Sequence, residues 1–308
     1  MRAVLFALLM GTYTVSVFAA PPSTTDSRKV WWVDPRTTLA ANPSFTDLSV
    51  GNSVADLRYV PEAGWYDAKI SKYLFQRVTD PANGSKRAFR HYLQQGMTLK
   101  NGTSARSETA AKWGWAGNLQ IGQPYWAVFA FYVGSDHPFN GSGDDLNIWE
   151  IGHPVKTASG NTIPTPAFFI RRNGTWDALL SYTTNVDSTA GVSRTTAFSR
   201  SLQKGVWNYV VVQFKLHWDK SKGPYFRVWQ AVGSGAPAQL VNTSVANYYR
   251  ESVTYTPSKF GLYSWNPSTG WGSSSSRTLY TKGVHVFKDV SGASTLDVNS
   301  LLEYIRAI

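Results

Sequence analysis

A short segment late in the chain, KFGLYSW from Lys259 to Trp265, carries side chains that are able to move a proton. Because side chains alternate in direction along a strand, four of them would share one face: Lys259, Gly261, Tyr263 and Trp265. A phenol can accept and return a proton, an ammonium beside it favours the phenolate, and a glycine lets a ligand approach the backbone. We therefore predict that this face binds a ligand, with the indole of Trp265 stacking at its edge.

A second segment, ARSETAA, places a guanidinium and a carboxylate two residues apart, so that Arg106 and Glu108 would share a strand face. The planar fork of an Arg side chain matches a carboxylate with two parallel hydrogen bonds, and a neighbouring Glu can hold that fork in place. The segment therefore predicts recognition of an acidic ligand. An exposed surface ion pair is the alternative.

The elements that must position these residues are predicted to be strands. Most of the chain divides into short β-branched and aromatic segments, which turn dipeptides such as Asn83-Gly84 and Asn140-Gly141 separate. This pattern is typical of antiparallel strands joined by tight turns, and it predicts an all-β, single-domain sandwich. Helical periodicity is weak except in the last segment, TLDVNSLLEYIRAI.

The first twenty residues have the layout of a secretory signal peptide. A basic Arg2 precedes an apolar run that is too short to span a bilayer, and small residues follow at Ala19 and Ala20. We therefore expect a signal peptide over residues 1–20 and a single exported domain over residues 21–308. The location is then extracellular, or periplasmic in a bacterium.

The composition indicates what such an exported protein would meet. The chain has 30 Lys and Arg against 19 Asp and Glu, a formal net charge of +11, 13 Trp, 16 Tyr and no Cys. A basic exported protein attracts polyanions, and flat rings suit stacking on sugar faces. The absence of a basic run argues against nucleic acid, and no segment approaches the length of a membrane span. We therefore expect an acidic polysaccharide as partner, no nucleic acid or membrane, and a monomer.

Read in order, the strand-like segments resemble a known group of enzymes. The succession RAFRHYLQQG, ARSETAA, YWAVFAFYV, LNIWEIGHP, WNYVVVQFKLHW, KFGLYSW and RTLYTKGVHV is similar to the jelly-roll polysaccharide lyases of the heparin lyase I, glucuronan lyase and alginate lyase type, over roughly residues 65–290. The resemblance implies a concanavalin-like β-sandwich with a concave substrate groove. It also implies cleavage of a uronic-acid-containing chain by β-elimination.

The resemblance also implies roles for the motif residues. In these lyases a Lys-x-Gly-x-Tyr strand supplies the catalytic Tyr, which corresponds to Tyr263, with Lys259 supporting it. The Arg-x-Glu strand of these lyases corresponds to Arg106 and Glu108 of this chain, and Arg106 would engage the uronate. Where the family often has another basic residue two positions further along, this chain has Ala110.

A third motif of the family, Gln-x-His after a Trp, is altered in this chain. In the segment WEIGH, Glu150 stands in the place of the Gln and Gly152 in that of the His, while His153 lies one residue out of phase. His153 would therefore face the other way unless a bulge near Gly152 turns it back. An ionised Glu150 would repel a uronate, so it must be protonated, paired with a cation or used for something else. His91 is a further candidate for contacting the substrate carboxylate.

The remaining signals are weaker. Asp144 and Asp145 could bind Ca²⁺, but two adjacent Asp in a Gly/Ser turn usually form a solvated turn, so we predict no metal or other cofactor. The Glu-x-Asp/Glu pattern of a retaining glycosidase on such a sandwich is absent. A secreted polysaccharide lyase is thus the leading hypothesis. A non-catalytic, lectin-like carbohydrate-binding protein is the alternative.

Overall fold

The computed structural model describes residues 19–23, 25–36, 58–59, 75–94, 105–110, 119–137, 146–151, 165–171, 173–186, 191–250, 255–256, 258–264, 276–290 and 296–308. Within these ranges the chain is almost entirely β-structure. The strands are β1 (Lys29–Val33), β2 (Arg58–Tyr59), β3 (Phe75–Asp80), β4 (Asn83–Gln94), β5 (Ala105–Ala110), β6 (Leu119–Gln120), β7 (Pro124–Tyr132), β8 (Leu146–Glu150), β9 (Ala167–Ile170), β10 (Thr175–Tyr182), β11 (Ser193–Ser201), β12 (Trp207–Lys215), β13 (Tyr225–Val232), β14 (Ala238–Thr243), β15 (Tyr255–Thr256), β16 (Lys259–Ser264) and β17 (Ser276–Lys288). The helices are a 3₁₀ turn at Lys220–Lys222 and α1 (Val298–Ala307).

Two antiparallel sheets dominate the described residues. The larger has the order β14-β13-β12-β7-β17-β4-β3-β2, with β1 also paired to β17, and the smaller has the order β11-β10-β9-β8-β16-β5. A further pair joins β15 and β6. Strands that are distant in sequence therefore lie side by side, as a jelly-roll sandwich requires, and the predicted all-β sandwich is confirmed.

The main core fills the space between the two sheets with aromatic rings. Phe129 of the larger sheet makes edge contacts with Trp149 and Phe260 of the smaller sheet, at centroid distances of 5.0 and 5.9 Å. Trp149 in turn stacks on Phe168 of the next strand at 5.5 Å. Burial of such rings supplies most of the driving force for pairing the sheets.

The helix predicted at the end of the chain is confirmed, and it covers the outer face of the larger sheet. Leu301, Leu302 and Ile305 of α1 pack there against strand residues that include Trp207 and Phe287. The helix begins with a capping box, in which the Asp297 carboxylate accepts from the Ser300 amide and the Ser300 hydroxyl accepts from the Asp297 amide. The larger sheet is thus covered on this face by α1 and on the other by the core.

Two observations concern the predicted N-terminal segment and membrane spans. Residues 1–18 of the expected signal peptide lie outside the described residues. In the part of the chain that the structure describes, no helix has the length and hydrophobicity needed to cross a bilayer.

His91 lies inside the sandwich and links the two sheets. Its Nδ1 donates to the carbonyl oxygen of Ser107 on β5 at 2.7 Å, and its ring meets Phe260 edge-on at 6.2 Å. The side chain is 1% exposed, and burial lowers its pKa to about 4. Burial also lowers the pKa of His137 to about 4 and that of His285 to about 3.

These buried histidines predict that the protein loses stability in mild acid. Between pH 4 and 6.5 the unfolded chain binds a proton at each of these side chains and the folded protein does not, so the free energy of unfolding rises with pH in this window. Each buried His contributes a slope of up to about 1.4 kcal/mol per pH unit. Urea unfolding of a His91→Gln variant across this range should show a slope smaller by about that amount. His217→Gln is the comparison variant: burial also lowers the pKa of His217, but that side chain is only partly buried, so its loss should change the slope less than the loss of His91. An unchanged slope in His91→Gln would contradict the assignment.

Candidate active site

The predicted row of side chains lies on the outer face of the smaller sheet. On β16, Phe260 and Leu262 are buried in the main core, so Lys259, Gly261 and Tyr263 take the opposite face. Gly261 has φ 144°, a conformation that favours glycine over any residue with a side chain. Tyr263 is 7% exposed and is absent from the described core cluster. The predicted division of the two faces is therefore correct for these residues.

The strand on one side of β16 brings the predicted Arg-x-Glu motif into register with this row. Arg106 of β5 is directly paired with Tyr263, and Glu108 with Gly261. Directly paired residues of antiparallel strands lie on the same face of the sheet. Two motifs that are more than 150 residues apart in the chain thus occupy adjacent positions.

The strand on the other side, β8, contributes a residue that the sequence did not suggest. Asn147 is paired with Tyr263 and Glu150 with Lys259, and the register of β8 shifts between them relative to both of its neighbours. Ile148 and Trp149 are both buried in the core, which leaves Asn147 and Glu150 together on the outer face. Simple alternation would have placed Asn147 with Trp149, and no glycine marks the irregularity in the sequence.

Glu150 is buried and is held between an amide and an ammonium. The Asn147 Nδ2 donates to Oε1 of Glu150 at 2.6 Å, and Nζ of Lys259 lies 3.8 Å from Oε2. The Glu150 residue is 2% exposed and the Lys259 side chain 11% exposed, so water screens the pair only weakly. Of the options that the sequence left open for Glu150, the structure provides a cation partner, and that partner is Lys259.

The backbone beneath this pair is fixed by a buried hydroxyl. Ser258 accepts a hydrogen bond from the indole Nε1 of Trp149 at 2.9 Å and donates to the carbonyl oxygen of Glu150 at 2.9 Å. Ser258 directly precedes β16, so these bonds tie the start of β16 to the end of β8. The arrangement positions Lys259 beside Glu150.

The Arg171 guanidinium lies on the outer face of the smaller sheet, two strands from Tyr263. Phe169 of β9 is paired with Asn147 and with Asp177 of β10. Arg171 forms an ion pair with Asp177 at 2.7 Å and places its guanidinium 4.8 Å from the centroid of the Phe169 ring. With its side chain 26% exposed, Arg171 can also meet a ligand. Sequence reasoning missed Arg171, although its position two residues after Phe169 indicated that both side chains share one face of the strand.

The structure corrects one predicted site residue and does not describe several others. His91 was expected to contact the substrate, but it lies in the core against Phe260, on the side of the smaller sheet opposite to Tyr263. We therefore remove it from the candidate site and assign it a structural role. Four other predicted positions lie outside the described residues: Asp144, Asp145, His153 and Trp265. Among the residues that are described, no cluster of three or more His, Asp or Glu could hold a metal ion.

Taken together, these positions form a row suited to proton transfer next to an anion. A phenol lies between an amide-bearing strand and an arginine-bearing strand, and a carboxylate nearby is balanced by an ammonium. Such a row can bind an acidic group through the amide and guanidinium and exchange a proton through the phenol.

Solved structures that are similar to this chain include a glucuronan lyase, a β-glucanase and an alginate lyase. An endo-β-1,4-glucuronan lyase from the fungus Trichoderma reesei matches with a TM-score of 0.51 and 16% identity, over 79% of this chain and 94% of that one. A family 131 β-glucanase catalytic domain from Podospora anserina has a TM-score of 0.46 and 13% identity, over 76% and 86% of the two chains. A marine alginate lyase from Aplysia kurodai has a TM-score of 0.45 and 11% identity, over 70% and 87%. At these identities the first match shows the fold alone, and the other two are too weak to bear on the argument.

Sequence comparison gives a more direct result. No curated protein matches the chain. The sequence model of the family described as polysaccharide lyase, however, matches residues 61–285, a range that includes β16, β8 and β5. Because this match spans well over half of the sequence, the chain belongs to the polysaccharide lyase family.

Proposed function

We propose that this protein is an exported polysaccharide lyase that cleaves a uronic-acid-containing polysaccharide by β-elimination, as a monomer and without a metal. The observation that carries the proposal is the position of Tyr263 in the sheet, directly paired with Asn147 on one side and with Arg106 on the other. Family membership supports the reaction class. The formal net charge of +11 favours an acidic substrate, and the layout of residues 1–20 favours export.

The reaction defines what the site must supply. A base removes the proton on C5 of a uronate, the bond from C4 to the glycosidic oxygen breaks, and a double bond forms between C4 and C5. The C5 proton is only weakly acidic because the adjacent carboxylate is already negative, so that carboxylate must first be neutralised. The departing oxygen must then receive a proton.

The residues of the row match these requirements. Arg106 would pair with the uronate carboxylate. An amide nitrogen carries two N–H groups, so Asn147 can donate one to Glu150 and the other to the substrate. Tyr263 would remove the C5 proton as phenolate and return it, as phenol, to the glycosidic oxygen on the same side of the sugar. His153 remains a proposed second contact to the carboxylate, with Glu108 and Trp265 as proposed substrate contacts.

Lys259 and Glu150 set the charge of the site. Alone, Glu150 would repel a uronate, and alone, Lys259 would attract it. Held 3.8 Å apart, the two leave this part of the face close to neutral. The positive charge offered to the substrate would then come chiefly from Arg106, because Arg171, further along the face, is itself paired with Asp177 at 2.7 Å.

We expect a Tyr263→Phe variant to lose β-elimination activity by at least about a hundredfold, because it lacks the group that moves the proton. The assay follows the ultraviolet absorbance of the unsaturated product with alginate, glucuronan, heparin and pectate as substrates. Polysaccharide binding should be retained, since the phenyl ring remains. Addition of a chelator should leave wild-type activity unchanged. A Tyr263→Phe enzyme with full activity would disprove the mechanism even if the wild type were a lyase.

Substitutions of the ion pair should shift the KM in opposite directions. Glu150→Gln leaves Lys259 without its counter-charge and should lower the KM for a uronate polymer by about three- to tenfold. Lys259→Met leaves the carboxylate uncompensated and should raise the KM by a similar factor. Each variant should also lose stability, by about 3 kcal/mol, because one charge of a buried pair remains. If both variants raised the KM equally, the pair would have a structural role only.

A second function, carbohydrate binding without cleavage, is favoured by one observation. The buried carboxylate of Glu150 stands where the resemblance to known lyases leads us to expect a Gln. Binding to a uronate polymer with no unsaturated product from any of the four substrates would support this lectin-like function. In that case the Glu150→Gln substitution is the first to test for recovered cleavage.

A further inference from the structure

A cleft of about 670 Å³ lies away from the row, at one end of the sandwich. One wall is formed by the end of β10 and the start of β11, and the other by the segment after β12 and residues 245–246. Its lining includes two aromatic side chains, two cations and two aliphatic hydroxyl groups: Tyr182, Trp218, Arg194, Lys220, Ser193 and Thr195. A volume of this size is within the usual range for small-ligand sites.

The cleft is separate from the candidate active site. Three strands, β8, β9 and β10, lie between β16 and β11 in the smaller sheet. At the usual strand spacing this puts the two sites roughly 19 Å apart across the sheet. Tyr182 also lies two residues after the buried Leu180 and therefore shares its face, the core side of β10, whereas Tyr263 takes the outer side of β16. A sugar bound at Tyr263 therefore does not fill this cleft.

The aromatic wall of the cleft is held in place before any ligand arrives. The Trp218 ring packs on the His217 ring at a centroid distance of 4.3 Å. The His217 amide donates to Oδ1 of Asn247, and the Asn247 side-chain amide donates to the carbonyl oxygens of Lys215 and Tyr225. Asn247 is fully buried, so these bonds fix the segment that carries Trp218. A pre-organised ring loses little conformational entropy on stacking.

The charge of the cleft favours an anion. Arg194 and Lys220 are both exposed, and the described residues that line the cleft include no Asp or Glu. The neighbouring Asp219 carboxylate accepts a hydrogen bond from the Ser221 amide at 2.8 Å, where it caps the 3₁₀ turn. Rings beside cations are the combination that binds a sugar face together with a carboxylate.

We propose that this cleft is a second binding site for acidic polysaccharide. Sugar rings lie against Trp218 and Tyr182, and uronate carboxylates pair with Arg194 and Lys220. The site holds a substrate chain to the protein at a distance from the place of cleavage, which raises the local concentration of substrate at the row. The ligand class rests on the proposed function, but binding in the cleft does not require that the protein cleaves its ligand.

The test is a calorimetric titration of the full chain carrying Tyr263→Phe, so that the ligand is not consumed. The probe is a short, size-defined oligouronate prepared from glucuronan or alginate. Two equivalents should bind per protein. Addition of Trp218→Ala, or of Arg194→Ala with Lys220→Ala, should reduce this to one and should lower the affinity for the long polymer by about tenfold.

Matched controls separate the cleft from general effects of charge or folding. Trp218→Phe keeps a ring, Arg200→Ala removes an exposed cation from the other end of β11, and Lys222→Ala removes one from the same 3₁₀ turn. All three should still bind two equivalents, with unfolding midpoints close to the parent. A single equivalent in the parent, or the same loss in the controls, would overturn the proposal. If a neutral β-glucan oligosaccharide bound to the parent and lost one equivalent in the same cleft variants, the assignment of an acidic ligand would be overturned.

Failure of the proposed function would look different. In that case the wild type would release no unsaturated product from any uronate polymer, while binding that depends on Trp218 would persist.

Discussion

The burial of Phe260 against the facing sheet is the constraint on which the candidate site depends. Its ring meets Phe129 of the larger sheet and lies in register with Trp149 of the neighbouring strand. Because side chains alternate along β16, anchoring Phe260 and Leu262 in the core places Lys259 and Tyr263 on the outer face. A one-residue slip of this strand would bury the phenol and expose the phenyl ring, so the core specifies the site as firmly as it specifies the fold.

The outer face also has to satisfy an electrostatic requirement. The anionic chain that we propose as substrate would be repelled by an unbalanced carboxylate on this face, and Glu150 would be one if Lys259 were absent. The short bond from Asn147 and the ion pair with Lys259 together allow a buried carboxylate on this face. Arg171 and Asp177 repeat the arrangement two strands away, with Phe169 beneath the guanidinium. The described part of this face therefore carries its charges in pairs, and the Arg171 side chain remains 26% exposed.

A β-sandwich supports many different reactions, so the reaction has to be argued from the side chains and not from the sheet order. The family match gives the class of enzyme, and Tyr263, the proposed proton-transferring residue on β16, is paired with Asn147 on one side and with Arg106 on the other. The cleft at Trp218 places aromatic rings beside cations at the end of the sandwich. One acidic polymer could thus contact the protein at two places.

The sequence by itself determined the all-β fold class, the terminal helix and the two faces of β16, because alternation and helical periodicity are local properties of the chain. It also indicated that Arg106 and Tyr263 belong together, through the resemblance of both motifs to one family. Only the tertiary structure showed that His91 lies in the core and that Asn147 reaches the outer face. The physical reason is that the side on which a residue lies depends on a register shift in β8 and on pairings between distant strands. The partner of Glu150 was likewise decided by strand pairing, which places Lys259 beside it across more than a hundred residues of sequence.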